Sequence, residues 1–203
     1  SGPRLLGRSR LAARLVARDP ARFAAPAYLT TRPPPSSSRE AGEAPGGAEE
    51  FVFVSEAEFA RAEDDGLLEV YEEGGHRYGL SPVAVRAPAA AGKVCVLDCT
   101  PEVVRRLLAG GEDLGVDPVG VWVSLASLAM IEERVTAELE RLFPGQDVAA
   151  RARAETDRAV SDIEFAVKSR AFDFTVINTD EEASLEKLED AAQYALRLLR
   201  RGD

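Results

Sequence analysis

The sequence is poor in the residues that carry metal and redox chemistry. It has one histidine, two cysteines, one methionine and one tryptophan in 203 residues. One histidine with Cys95 and Cys99 cannot supply a tetrahedral Cys/His zinc site, so no resident metal is expected. Cys95, in the apolar run "GKVCVLDCT", reads as a small buried hydrophobe, and so few cysteines suit a reducing, cytoplasmic setting. No apolar run approaches the ~20 residues of a membrane span, and no secretory signal pattern is visible, so no membrane partner is expected. Basic residues are also short: 25 Lys and Arg stand against 35 Asp and Glu, a net charge of -10. That balance argues against a nucleic-acid partner, which needs a cationic surplus to displace counterions. An anionic small ligand stays open, because a few local basic groups can outvote the global charge. The apolar fraction of 45% over this length fits one domain with a real core.

Strands and helices alternate along the chain. "GRSRLAARLVARD" places Leu11, Leu15 and Val16 on one helical stripe that ends at Asp19-Pro20. "FAAPAYLTTR" is an extended stretch. Residues 33–50, rich in Pro, Ser, Gly and Glu, read as a flexible surface loop. "FVFVS" is a strand, and "EAEFARAEDDG" a helix that Ser55 caps with Glu58 three residues on. "LLEVYEEGGHRYGL" gives two short strands around Gly74-Gly75, and "SPVAVRAPAAAG" a short helix broken near Pro88. "KVCVLD" and "VGVWVS" are near-continuous apolar runs, as in parallel strands covered on both faces, with the helix "TPEVVRRLLAGG" between them. Residues 127–170 are helical with a break at "FPGQ". "FDFTVIN" is a last strand. The final helix carries acids at its start and Arg197, Arg200 and Arg201 at its end, which suits the helix dipole. The alternation predicts an α/β fold with a mainly parallel sheet.

The first residues hold a motif. Gly2-Pro3-Arg4-Leu5-Leu6-Gly7-Arg8-Ser9 is the phosphate-loop pattern G-x-x-x-x-G-K-[ST] with Arg8 in the lysine position. Such a loop wraps phosphate with backbone N–H groups and a helix N-terminus. No strand-like run precedes it in the sequence given, so the first core strand is expected to be missing. Downstream, Asp98 ends a predicted parallel strand, where α/β proteins place ligand groups.

In this order, the phosphate loop, "TTRPP", "FVFVSEAEF", "LLEVYEEGGHRYG", "GKVCVLD", "SLASLAMIEER" and "VINTDEEASLEKL" resemble the guanylate kinase family over nearly the whole chain. "HRYGLS" is somewhat similar to the domain of leucine-rich-repeat guanylate kinase proteins. The resemblance implies a P-loop nucleoside-monophosphate-kinase-like parallel core at residues 1–31 and 81–203, with a helical lid at about 135–160. It also implies a small mixed-β GMP-binding subdomain at residues 32–80. The family transfers the γ-phosphoryl of ATP to GMP with Mg2+. The implied ATP-binding residues are Gly2, Gly7, Arg8, Ser9 and Asn178, the last at the adenine site. Arg8, Arg141 and Arg151, with Arg153 a competing choice, fall where charge on the transferring phosphoryl is neutralised. On the GMP side, Arg32 and Tyr78 match phosphate ligands, Glu69 a guanine-reading acid, and Asp98 the first acid of a D-x-D pair. Arg39 and Glu43 in "REAGE" stand in for an R-x-G-E motif if a loop insertion shifted it.

The same comparison shows departures. Arg8 replaces lysine, and a long forked guanidinium does not stand in for a compact ammonium. Leu5 and Leu6 stand where small residues are usual, Pro35 where a second arginine is, Phe51 where a tyrosine is, Tyr28 where a serine is, and Thr100 where the second acid is. Two readings follow. One is a domain impaired in ATP:GMP transfer that binds nucleotide weakly or holds a protein partner in the GMP cleft. The other is an active guanylate kinase converting ATP and GMP to ADP and GDP.

Overall fold

The structure, a computed structural model, describes residues 1–34, 51–110 and 115–199. They fall into two compact units. One comprises Ser1–Arg18, Asp98–Ala109 and Asp117–Asp203, the other Asp19–Leu97 and Gly110–Val116. Residues 19–31 and 81–97, expected with the core, thus group with the second unit.

In the first unit, α1 (Arg8–Arg18) buries Leu11 and Leu15, one turn apart on the predicted stripe. Strands β7 (Val121–Ser124) and β8 (Phe174–Ile177) run parallel, with Val121 opposite Phe174 and Ser124 opposite Ile177. Ser1 lies along β7: its amine donates to the Val121 carbonyl at 2.9 Å and its carbonyl accepts from the Val123 N–H at 2.9 Å, the alternation of a parallel pair. The phosphate-loop segment is therefore anchored on the sheet at its first residue.

α4 (Pro101–Gly110) opens on a proline, whose missing N–H is no loss in a first turn. α5 (Leu128–Leu142) and α6 (Ala149–Ser169) form a helical hairpin joined through the "FPGQ" break. Their contact is built from Ile131, Val135 and Leu139 of α5, spaced four apart, against Val148, Ala152 and Ala159 of the α6 side. α7 (Glu181–Leu199) returns along α1, where Arg10, Arg14 and Arg18 pair with Glu181, Glu182 and Glu189 at 2.7–3.2 Å. The two first-turn glutamates serve twice, since they also complement the α7 dipole. Arg200 and Arg201 lie outside the described residues.

The second unit holds β1 (Phe23–Ala24) parallel to β6 (Val94–Cys95), and a four-stranded mixed sheet in the order β3-β2-β5-β4. Its strands are β2 (Tyr28–Thr30), β3 (Phe51–Phe53), β4 (Glu69–Glu73) and β5 (His76–Leu80). The period of two sorts these strands into faces. Tyr28, Thr30, Phe51, Phe53, Glu69, Tyr71 and Tyr78 share one face. Leu29, Val52, Val70, Arg77 and Gly79 share the other. α2 (Glu56–Asp64) covers the second face with Phe59, which is fully buried, while the Arg77 guanidinium sits 4.4 Å over that ring. The predicted Ser55/Glu58 capping box is formed, and the Ser55 hydroxyl and N–H hold the Glu58 carboxyl below the usual glutamate range.

Two sequence expectations need correction. The helix α3 (Pro82–Ala90) runs through Pro88 rather than breaking there. Pro88 lies two residues from its end, so only one internal bond is lost, and the Ala91 N–H caps its carbonyl at 3.0 Å. The strand expected over "KVCVLD" narrows to Val94–Cys95, because its partner is a two-residue strand stopped before Pro26, which has no N–H to donate. Asp98 consequently lies in a loop beyond the strand. Among the described residues no helix is long and apolar enough to cross a membrane.

Candidate functional site

Each unit carries one group of the residues singled out above. In the first unit, the loop of residues 1–7 enters α1 at Arg8. Gly2 and Gly7 are where the backbone leaves no room. A Cβ at Gly2 would collide with the Val123 carbonyl, and one at Gly7, held at φ +87°, would lie 2.7 Å from Asn178 Nδ2. Leu5 adopts a left-handed conformation at φ +64°, which costs a branched, non-glycine residue about 1–3 kcal/mol. What holds it there is its neighbour. Leu6 is fully buried in the α5–α6 core, among Leu125, Ile131, Val135 and Leu139. Asn178, which the resemblance places at an adenine site, is itself 7% exposed and donates through Nδ2 to the Leu6 carbonyl at 2.8 Å. Its amide thus holds the loop.

Arg8 is equally engaged. Its Nε lies 2.9 Å from Asp98 Oδ1, with the two side chains 14% and 27% exposed, and its Nη1 donates to the Gly2 carbonyl. The guanidinium therefore closes the loop from inside, tying its first glycine to Asp98. Burial raises the pKa of Asp162 on α6, against the pull of Arg8, Arg105 and Arg158. For Arg8 to turn towards a bound phosphate it must leave a partly buried carboxylate behind, which is costly when one partner is removed. It would also leave that carboxylate near the phosphate as a like charge. Ser9 is exposed in the first turn of α1.

The three arginines expected on the lid are all exposed on their hairpin. Arg141 pairs with Glu138 at 2.9 Å on the same helix, Arg151 lies 4.3 Å over the Phe143 ring, and Arg153 is exposed. Thr100 precedes α4, and its carbonyl accepts from the Val104 N–H at 3.2 Å.

In the second unit, "TTR" is a built turn. The Thr30 hydroxyl, on a fully buried residue, accepts from the Arg32 N–H at 3.1 Å, and the Thr31 hydroxyl accepts from the Arg77 N–H at 3.0 Å. The turn sends Arg32 over two rings, 5.2 Å from Phe51 and 5.9 Å from Phe53. Its Nη2 is buried with no hydrogen-bond partner among the described residues. A buried cationic donor left unpaired is costly, and an anion is the partner that would relieve it. Tyr78 is buried beside Phe51 and stacks on Tyr71, with ring centroids 4.9 Å apart and planes within 6°. Glu69 accepts from the Tyr28 hydroxyl at 3.0 Å. Burial pushes the Tyr71 phenol up to about 12, with Glu73, Glu69 and Tyr78 adding to it. Arg39 and Glu43, and with them Pro35, lie outside the described residues.

Arg8 and Asp98 are thus brought together, as are Asn178 and the loop, and Arg32, Tyr78 and Glu69 share one sheet face. Tyr71 and Leu6 were not singled out as site residues. The alternation in "EVYEE" does place Tyr71 beside Glu69, but nothing local signals that Leu6 inserts between helices far along the chain.

A phosphate-type loop entering a helix beside parallel strands, with a separate small mixed sheet, is the architecture of P-loop nucleoside monophosphate kinases. The guanylate kinase family model matches residues 1–195, and the chain belongs to that family. It is 28% identical to the guanylate kinases of Sus scrofa and Homo sapiens, over 97% and 99% of this chain and 91% and 94% of theirs. It is 36% identical to human MAGUK p55 subfamily member 2 over 107 residues, 52% of this chain but only 17% of that protein. The fold is similar to the crystal structure of guanylate kinase from Anaplasma phagocytophilum, with a TM-score of 0.55 and 19% identity over 92% of this chain and 80% of that one.

That family binds ATP and GMP. The cationic group of this loop is tied to Asp98 and Gly2, and the Leu6 carbonyl is held by Asn178.

Proposed function

We propose that this guanylate-kinase-family domain binds a phosphate monoester, weakly GMP, through Arg32 and Tyr78, and is impaired in ATP:GMP phosphoryl transfer. The observation that carries the impairment is the Arg8 guanidinium bound to Asp98 and to the Gly2 carbonyl. Phosphoryl transfer rests on positioned positive charge, and here the loop's charge is neutralised internally. The buried Nη2 of Arg32, which has no hydrogen-bond partner among the described residues, supports the phosphate site. The cytoplasm is the proposed setting.

A second reading gives the Arg32 face to a protein partner bearing a phosphorylated side chain, which offers the same anion. Similarity to the MAGUK p55 subfamily over about half of the chain supports it.

The test is ligand-induced thermal stabilisation. Millimolar GMP is expected to raise the melting temperature of the wild-type chain, and Arg32→Ala to abolish the shift. No shift in the wild type would remove nucleotide recognition, and an unchanged shift in Arg32→Ala would move the phosphate elsewhere.

A further inference from the structure

On the reading that Arg32 and Tyr78 hold a phosphate, we propose that Tyr28 is a specificity-determining residue that removes guanine preference. The ligand is then a phosphate monoester recognised by its phosphate, without regard to the base. The case begins with register. Leu29 pairs with Gly79 and Thr30 with Tyr78, so one step along the antiparallel ladder Tyr28 stands level with Leu80, which pairs with Glu69 on β4. Tyr28 and Glu69 therefore share one row of one sheet face, separated by β5. Strands lie about 4.8 Å apart, so a group bridging from β2 to β4 must span about 10 Å. A tyrosine, with its hydroxyl at the end of a long ring, meets a glutamate across that gap; a serine could not.

The bridge is formed, with the Tyr28 hydroxyl 3.0 Å from Glu69 Oε2. A carboxylate reads guanine with both oxygens, accepting two parallel N–H bonds from one edge of the base, as in other bidentate pairs. A phenol on Oε2 competes for half of that edge. The phenol is also held in place, because its ring meets Tyr71 at 6.2 Å and 64°, and Tyr71 stacks flat on Tyr78. Edge-to-face and stacked aromatic contacts resist rotation of a single ring. At the phosphate end of the face, Arg32 sits over Phe51 and Phe53.

Calorimetric titration of the whole chain with GMP, CMP and inorganic phosphate tests it. The wild type is expected to bind GMP and CMP within about fivefold of each other, and Tyr28→Ser to raise the GMP-over-CMP ratio by at least that factor, the scale of one restored hydrogen bond. Phosphate affinity should stay within the same factor. Tyr28→Phe keeps the ring and removes only the hydroxyl, so it should shift the ratio in the same direction and guards against a serine variant that fails to fold. A wild type preferring GMP by more than about fivefold, or variants that leave the ratio unchanged, overturns the role of Tyr28 alone. If none of the three ligands binds the wild type, the phosphate site itself fails and this inference with it.

Discussion

Replacing Leu6 by alanine is expected to destabilise the domain by about 2–5 kcal/mol, the range for emptying a large buried aliphatic site. Leu6 is 0% exposed and packs against both helices of the α5–α6 hairpin. The loss is expected at the upper part of that range because the site cannot readily collapse. Leu5 is already held at a left-handed φ, and the Leu6 carbonyl is fixed by Asn178, so the loop has little freedom to follow the cavity inwards. For a chain of this length each kcal/mol lowers the melting temperature by about 2–4 °C. Thermal unfolding of the variant beside the wild type reads this directly. A change below about 1 kcal/mol would mean that the loop is not pinned by its leucine. In a phosphate loop whose residues served only a ligand, the same substitution would alter binding and leave stability nearly unchanged.

Arg8→Lys is expected to leave phosphoryl transfer far below that of an ordinary kinase, although it restores the residue of the phosphate-loop pattern. Lysine removes the fork that reaches Asp98 and the Gly2 carbonyl together, so the internal latch is loosened. It does not remove the other obstacles. Leu6 still anchors the loop in the hairpin core, and the Tyr28 hydroxyl still sits on Glu69. Phe51 still offers no hydroxyl beside Arg32. Phosphoryl transfer depends on several positioned charges at once, and groups that act as a unit are not rescued singly. Steady-state turnover of ATP and GMP by this variant is the check. Recovery to ~1–100 per second would show that one side chain accounts for the whole defect.

What could be read from the sequence follows the range of the interactions involved. The Ser55–Glu58 box, the hairpin at Gly74-Gly75 and the break at "FPGQ" are local, and the structure forms them where the residues predict. The period-two runs "FVF", "EVYEE" and "HRYGL" fix which side chains share a face, so Glu69, Tyr71 and Tyr78 lie on one. Pro88 misled because a helix-breaking residue breaks little when the helix is about to end. "KVCVLD" misled because strand length depends on the partner strand, and that partner stops short of Pro26. The engagements that decide the phosphate loop were beyond sequence reading altogether. Arg8 with Asp98, Asn178 with Leu6, and Leu6 with α5 and α6 join residues more than 80 positions apart, and no spacing rule announces them.

The central claim is that the chain keeps the guanylate kinase fold while its phosphate loop is tied down by its own Arg8. The direct measurement is the turnover of the wild-type chain with ATP, Mg2+ and GMP at saturating concentrations in a coupled assay. The account predicts a rate far below ~1 per second, and a rate within the ordinary kinase range of ~1–100 per second would contradict it.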